Sequence, residues 1–155
     1  MTITVPTAPI LVHATAIAID GRAVLLRGRS GVGKSDLALR LIDGGARLVA
    51  DDQVELRRTG ERVLVSAPAA IAGLIEVRGV GILRVEAVAQ ATLALLVDLV
   101  PPAEVDRFPE TRCEDVLGIA APSIALSPFE ASAAAKLRFA LSAFSAHSVP
   151  AIIRR

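Results

Sequence analysis

The chain has 155 residues and a net charge of +1; 53% of its residues are hydrophobic, only 3% are aromatic, and it has no Trp or Tyr. This length predicts a single domain over residues 1–155, with a core built from Val, Leu, Ile and Ala. The near-zero charge excludes a global field that would attract nucleic acid or an acidic membrane surface. The chain shows no signal peptide and no apolar run long enough to span a membrane. Its single cysteine, Cys113, excludes an internal disulfide, which suits a cytoplasmic protein.

The first predicted elements are two antiparallel strands. Branched apolar residues at positions 10, 12, 17 and 19 predict one strand over residues 10–19. Asp20 and Gly21 form a two-residue turn signal, and residues 22–26 predict a second, buried strand. His13 lies on the first strand, where a histidine alone is more often structural than functional. Two antiparallel strands before the loop depart from a simple doubly wound parallel sheet and predict a mixed sheet.

The stretch that follows fits the phosphate-binding loop pattern G-x-x-x-x-G-K-[ST] at every specified position, through Gly28, Arg29, Ser30, Gly31, Val32, Gly33, Lys34 and Ser35. A helix is predicted to follow and to end at Gly44 and Gly45. The glycines allow backbone N–H groups to approach phosphate oxygens, and the helix adds its positive end. Lys34 is expected to reach the β- and γ-phosphates, and the Ser35 hydroxyl to bind Mg²⁺. The alternative is a glycine-rich turn that binds no nucleotide.

Two adjacent acids, Asp51 and Asp52, come directly after a short strand predicted over residues 46–50. Ligands of α/β sheets bind at the carboxyl ends of strands, so this position favours a functional role over a solvated turn. Two carboxylates here could hold Mg²⁺ or take a proton from an incoming hydroxyl.

The rest of the chain predicts further strands and one more helix. A hairpin is expected over residues 53–65 and strands over residues 83–88 and 91–100, followed by a loop over residues 101–114. Residues 76–82, with glycines at 79 and 81, are too unusual for an ordinary strand. Ser127, Pro128 and Glu130 form a capping box that predicts a helix reaching about Ser145, with Leu137 and Leu141 on its apolar stripe.

These separated motifs, taken together, resemble the catalytic domain of HPr kinase/phosphorylase, a bacterial enzyme that acts on a serine of the phosphocarrier protein HPr. The resemblance covers residues 9–127 and rests on His13, the loop 28–35, the stretch 48–52 and the stretch 76–82, which is similar to the family's signature. Asp106 and Arg107 resemble a further short family motif. The resemblance implies an α/β fold related to the nucleotide core of phosphoenolpyruvate carboxykinase, with a P-loop and a mixed sheet.

The resemblance also implies site residues, cofactors and partners. Asp51 is the implied general base, with His13 close to it, and Asp52 is implied to support the metal and loop region. Ser35 and Glu76 are the implied ligands of Mg²⁺, and ATP is the implied phosphoryl donor. HPr is the implied substrate, and the family's hexamer implies a homo-oligomer.

Two departures from the family are visible in the sequence. The chain begins about where the catalytic domain begins, so we expect the family's N-terminal domain to be absent. The family carries an Arg-containing Pro-Gly-Arg-Asn stretch where this chain has Ser127-Pro128-Phe129-Glu130. Because that stretch is tied to dephosphorylation, we expect kinase activity with weak or lost phosphorylase activity. A nucleotide-binding sensor module without turnover and a small-molecule kinase remain alternatives.

Overall fold

The structure, a computed structural model, describes residues 8–144. It contains two α-helices, α1 (Lys34–Asp43) and α2 (Ala133–Phe144). The strands are β1 (Ile10–His13), β2 (Thr15–Ile19), β3 (Arg22–Arg27), β4 (Arg47–Ala50), β5 (Gln53–Thr59), β6 (Arg62–Ser66), β7 (Leu74–Val77), β8 (Gly81–Arg84), β9 (Gln90–Leu99), β10 (Arg112–Val116) and β11 (Ile119–Leu126). Within these described residues, neither helix is both long and apolar enough to cross a membrane.

Nine of the strands form one mixed sheet; seven of them lie in the order β1-β5-β6-β9-β3-β2-β4, and β11 and β10 branch from β9. Strand β9 runs parallel to β3 along one edge; its other edge pairs first with β6 and then with β11, which also pairs with β10. Strand β2 lies antiparallel between β3 and β4, so β3 and β4 point the same way. The predicted mixed sheet is therefore confirmed, and β7 and β8 form a separate hairpin.

Alternating side chains of the central strands build two cores, one on each face of the sheet. Val24 and Leu26 of β3 pack with Leu37 and Leu41 of α1 and with α2 residues, whereas Leu25 points to the other face. Both helices therefore cover the same face. Half of the buried residues in the second core are alanines. These small side chains fill the second face, and no described helix packs there.

The strand predicted over residues 10–19 is wrong as a single element. It breaks at Ala14, whose N–H donates to the carbonyl oxygen of Asp52 at 3.2 Å. Before the break, β1 pairs with β5; after it, β2 pairs with β3 and β4. His13 therefore lies at the end of β1, and Ala14 separates it from β2, the strand that pairs with β3.

Three other predicted elements differ from the structure. The strand expected over residues 83–88 is limited to β8, because Glu86 and Val88 instead bond to the backbone of Leu48. The loop expected over residues 101–114 ends earlier, where β10 begins. The unusual stretch 76–82 is the tip of the β7–β8 hairpin, with glycines at positive φ.

The predicted capping box at Ser127 is also wrong, because α2 begins only at Ala133. Residues 128–132 form turns, and the Arg40 guanidinium donates hydrogen bonds to the carbonyl oxygens of Pro128 and Glu130. The Glu130 carboxylate pairs with Lys136 instead of folding back on Ser127. The apolar stripe of Leu137 and Leu141 is buried as predicted, whereas the expected helix end at Ser145 lies outside the described residues.

Candidate functional site

The site lies where three neighbouring strands of the sheet, β3, β2 and β4, end or begin. The loop 28–33 follows the carboxyl end of β3, and Asp51 and Asp52 follow that of β4. Because β2 is antiparallel to both, its first residue, Thr15, lies at the same end of these strands. Crevices outside the carboxyl ends of strands are the usual ligand sites of α/β folds.

The loop 28–33 leads from β3 into α1, and its residues are exposed or half-buried. Gly33 caps the helix in the left-handed region, at φ 113°, and has no side chain that could accept a capping hydrogen bond. A Cβ on Gly28 would lie 2.7 Å from the Val32 side chain, so only glycine fits there without a shift. The first N–H groups of α1 have no partner inside the helix, which makes them suited to bind an anion.

Lys34 is buried beneath this loop and directs its charge into it. Its Nζ donates to the carbonyl oxygens of Gly28 and Arg29, each at 2.8 Å. Burial lowers the pKa of Lys34 below its ordinary value, and the nearby carboxylates of Asp52 and Asp51 partly oppose this shift. A phosphate group in the cavity would restore the solvation that the ammonium lacks.

Asp51 is a buried acceptor at the centre of the site, with 8% of its surface exposed. Its Oδ1 accepts from the hydroxyl of Ser35 at 2.7 Å and from that of Thr15 at 3.1 Å. Its Oδ2 accepts from the backbone N–H of Glu76 at 3.0 Å. Asp51 therefore joins α1, β2 and β7 at one point.

Asp52 faces the same cavity, although adjacent residues of an extended chain would point to opposite sides. Its φ of 71° turns the backbone out of the extended region, and its N–H donates to the Thr15 hydroxyl at 3.2 Å. The Asp52 side chain is 65% exposed and its Oδ1 lies 3.3 Å from His13 Nδ1. The other ring nitrogen of His13 lies 3.3 Å from the Ser30 hydroxyl. His13 therefore contacts the carboxylate of Asp52, the residue next to the Asp51 that the resemblance places close to His13.

These residues line a cavity of about 410 Å³ together with Glu76, Arg78 and Phe129. Within residues 8–144, no cluster of three or more His, Cys, Asp or Glu side chains is arranged to hold a metal ion. Mg²⁺ needs fewer protein ligands, since one or two carboxylates with phosphate oxygens and water suffice. Because the Ser35 hydroxyl donates its proton to Asp51, its lone pairs are free for a cation. The oxygen atoms present therefore fit Mg²⁺.

Thr15 in the site and Arg27 beside the loop are two residues whose contacts the sequence analysis missed. Thr15 is fully buried and contacts both Asp51 and Asp52, so it fixes their spacing. A lone hydroxyl in a strand of apolar residues was the available signal. Arg27, directly before the loop, forms paired hydrogen bonds with Asp98 of β9 and with Glu114 of β10. These contacts span 71 and 87 residues, which no local pattern reveals.

The Arg27 cluster predicts a pH-dependent loss of stability in Arg27→Gln. The hydrogen bond from Arg27 holds the pKa of Glu114 below its ordinary value, so this stabilisation is present at neutral pH and lost as pH falls through the lowered pKa. Because Glu114 is about half exposed, we expect a loss of about 1 kcal/mol above the ordinary glutamate pKa of about 4.3, shrinking below it. Urea unfolding at neutral and acidic pH measures this difference. Arg22→Gln, at the other end of β3, is the control, and a loss of equal size at every pH would contradict the prediction.

The chain is similar in sequence to known proteins. Residues 7–127 match the HPr Serine kinase C-terminal domain. The HPr kinase/phosphorylase of Caldanaerobacter subterraneus subsp. tengcongensis is 42% identical over 114 residues, which cover 71% of this chain and 37% of that protein. The HPr kinase/phosphorylase of Peptoclostridium acidaminophilum is 45% identical over 112 residues, which cover 70% of this chain and 36% of that protein.

A solved structure agrees in fold. The Hpr(Ser) kinase/phosphatase from Coxiella burnetii matches with a TM-score of 0.73 and 31% identity, covering 83% of this chain and 95% of that chain. The chain spans between about a quarter and two fifths of the length of the curated relatives it matches. Since the family match extends over most of the residues, including the loop, the paired acids and the β7–β8 hairpin, the chain belongs to the HPr serine kinase C-terminal domain family.

Proposed function

We propose that this chain is a catalytic domain that transfers the γ-phosphoryl group of ATP to a serine of HPr or a close relative. The observation that carries the proposal is the meeting of Lys34, Ser35 and the exposed Asp52 carboxylate in one cavity beside the start of α1. We further propose that residues 1–155 form one domain, built on a P-loop core related to phosphoenolpyruvate carboxykinase.

The triphosphate of ATP would lie over the loop 28–33. The unpaired N–H groups at the start of α1 would bind its oxygens, and the glycines of the loop allow its backbone N–H groups to point toward them. Lys34 would exchange its two bonds to loop carbonyls for bonds to the β- and γ-phosphates. A buried ammonium gains most from such an exchange, because a phosphate replaces the water that burial removed.

Mg²⁺ would be held by the Ser35 hydroxyl, with Asp51 and Glu76 as acidic contributors. The hydrogen bond of 2.7 Å between Ser35 and Asp51 supports this proposal, because P-loop enzymes hold their metal with this pair of residue types. When bound, Mg²⁺ neutralises negative charge on the phosphate oxygens. Glu76 lines the same cavity and presents a carboxylate there.

We propose Asp52, not Asp51, as the general base. The resemblance assigns that role to Asp51, but the hydrogen bonds and exposure of the two carboxylates favour Asp52. Both oxygens of Asp51 already accept hydrogen bonds, from Ser35, Thr15 and the Glu76 backbone. Asp52 is 65% exposed, so a protein hydroxyl can reach it, and His13 orients it.

In the transfer step, the serine oxygen of the substrate would form a bond to the γ-phosphorus. The bond from that phosphorus to the β–γ bridging oxygen breaks, and ADP leaves. The serine proton passes to a carboxylate oxygen of Asp52, while His13 holds that carboxylate against the loop through Ser30. The transition state is loose, so placement and charge contribute more than the strength of the base.

We propose that the chain phosphorylates its protein substrate and does not dephosphorylate it efficiently. The turn that replaces the family's Arg-containing stretch offers Phe129 to the cavity, and its Glu130 is paired with Lys136. No cation from this turn is therefore presented to a phosphoserine. We propose weak or absent phosphorylase activity, a cytoplasmic location, HPr as the protein partner, and a homo-oligomer as in the family.

The metal proposal makes a prediction for two variants. Ser35→Ala and Glu76→Gln are each expected to raise the Mg²⁺ concentration for half-maximal transfer by about 10- to 100-fold, because the first removes a ligand oxygen and the second removes the negative charge of a ligand. Kinase assays over a Mg²⁺ titration measure this change. Glu61→Gln is the control, because Glu61 is an exposed acid in the turn between β5 and β6. An unchanged Mg²⁺ requirement in both variants would rule out these ligands.

The choice of substrate is tested by comparing acceptors. ATP turnover in Mg²⁺ is measured with HPr, with free serine and other small alcohols, and with no acceptor. Phosphoserine formed on HPr alone supports the protein kinase. Turnover that needs a small acceptor identifies a small-molecule kinase, and ATP binding without turnover identifies a sensor module.

A further inference from the structure

Phe129 lies at the cavity rim on a turn that is fixed to α1. The Arg40 guanidinium donates to the carbonyl oxygens of Pro128 and Glu130, and Asp36 holds Arg40 with a hydrogen bond of 3.1 Å. Ser127, just before the turn, is 4% exposed. The backbone that carries Phe129 is therefore anchored on both sides of the residue.

The Phe129 ring is open to solvent yet packs on the loop. It is 70% exposed, although a side chain of this size usually gains from burial. A Cβ on Gly33 would lie 2.9 Å from the ring, so the aromatic edge touches the last residue before α1. Only glycine leaves this space for the ring.

The cavity has a polar end and an apolar end. Lys34, Asp51 and Asp52 form the polar end, which suits phosphates and metal. Leu39, one turn into α1, and Phe129 contribute apolar surface to the same cavity. Its volume of about 410 Å³ lies within the range of about 300–1,000 Å³ typical of small-molecule sites.

We propose that the Phe129 ring is the platform on which the purine base of the nucleotide stacks. This inference rests on the proposed ATP binding and adds the place of the base to it. With the triphosphate at Lys34 and the start of α1, the base must occupy another part of the cavity, and Phe129 offers the exposed aromatic face there. An aromatic side chain has only two rotatable bonds, and its fixed backbone makes stacking cost little entropy. Stacking depends on the π-face of the base, so adenine and guanine nucleotides bind with similar affinity.

A comparison of ATP with inorganic tripolyphosphate distinguishes the contribution of the base to binding from that of the phosphates. Phe129→Ala is expected to weaken ATP binding by about 5- to 100-fold, the effect of removing one base–aromatic stack. Tripolyphosphate, which has no base, is expected to bind both proteins equally. Phe139→Ala is the matched control, since Phe139 on α2 is 78% exposed and lines no part of this cavity. Isothermal titration calorimetry measures the affinity of each of the three proteins for both ligands.

Three results would overturn the proposal. An equal loss of ATP and tripolyphosphate affinity in Phe129→Ala would mean that the ring only shapes the loop. Unchanged ATP affinity with a higher KM for HPr would mean that it contacts the protein substrate. Failure of the unmodified protein to bind either ligand would overturn the proposed function as well, whereas the first two results leave ATP binding by the unmodified protein intact.

A second measurement uses the absence of Trp and Tyr from the sequence. Phe129→Trp introduces a single fluorophore at the platform, and its emission is expected to change on addition of ATP but not of tripolyphosphate. Phe139→Trp is expected to respond to neither ligand. Equal responses of Phe129→Trp to both ligands would contradict stacking.

Discussion

Asp52→Asn is expected to lower phosphoryl transfer to HPr by about 10²- to 10⁴-fold, the usual contribution of a positioned general base. Asparagine keeps the shape of the side chain but cannot take the serine proton. The affinity for ATP is expected to stay the same or improve, because a negative charge near the γ-phosphate is removed. Single-turnover transfer and equilibrium binding of ATP measure the two effects separately.

Asp51→Asn is the matched comparison, one residue away. An amide at position 51 still accepts from Ser35 but carries no charge for a metal, so we expect a higher Mg²⁺ requirement. The Mg²⁺ requirement of Asp52→Asn is expected to stay unchanged. Loss of transfer in Asp51→Asn at saturating Mg²⁺, with transfer retained in Asp52→Asn, would return the role of the base to Asp51.

Lys34→Ala is expected to weaken ATP binding by about 10- to 100-fold, since a charge-assisted hydrogen bond is worth about 1.5–3 kcal/mol. Transfer is expected to fall further, because in the proposed complex Lys34 would contact the γ-phosphate, whose charge shifts in the reaction. Its Nζ bonds only to loop carbonyls, so the fold is expected to survive its removal.

The sequence offers a matched control, since Lys136 is its only other lysine. Lys136 is half exposed and pairs with Glu130, an interaction of the kind that contributes little to stability. Lys136→Ala is therefore expected to bind ATP normally. Circular dichroism and thermal unfolding test whether each variant is folded, and normal ATP affinity in a folded Lys34→Ala protein would contradict the assigned phosphate site.

The local parts of the site were predictable from the sequence. The residues of loop 28–33 and the first turn of α1 are consecutive, so one pattern identified the strand, the glycines and the helix together. Asp51 and Asp52 were found because they follow a short buried strand. Each of these features is decided by neighbours within a few residues.

The features that the sequence analysis missed depend on contacts between distant residues. The break at Ala14 comes from a hydrogen bond to Asp52, and it moves His13 onto a different strand from Thr15. A single positive φ at Asp52 brings both carboxylates to one cavity, and periodicity does not encode such a dihedral angle. The capping box at Ser127 failed for the same reason, since Arg40 on α1 holds the turn carbonyls from 88 and 90 residues away.

The central claim is that this site transfers phosphate from ATP to a serine of HPr. The most direct measurement follows the label from γ-³²P-ATP in Mg²⁺ onto HPr, and maps the labelled residue, for the unmodified chain and for Lys34→Ala. We predict label on a serine of HPr with the unmodified chain and none above background with Lys34→Ala. Label that never reaches HPr, or that reaches it equally with Lys34→Ala, would contradict the claim.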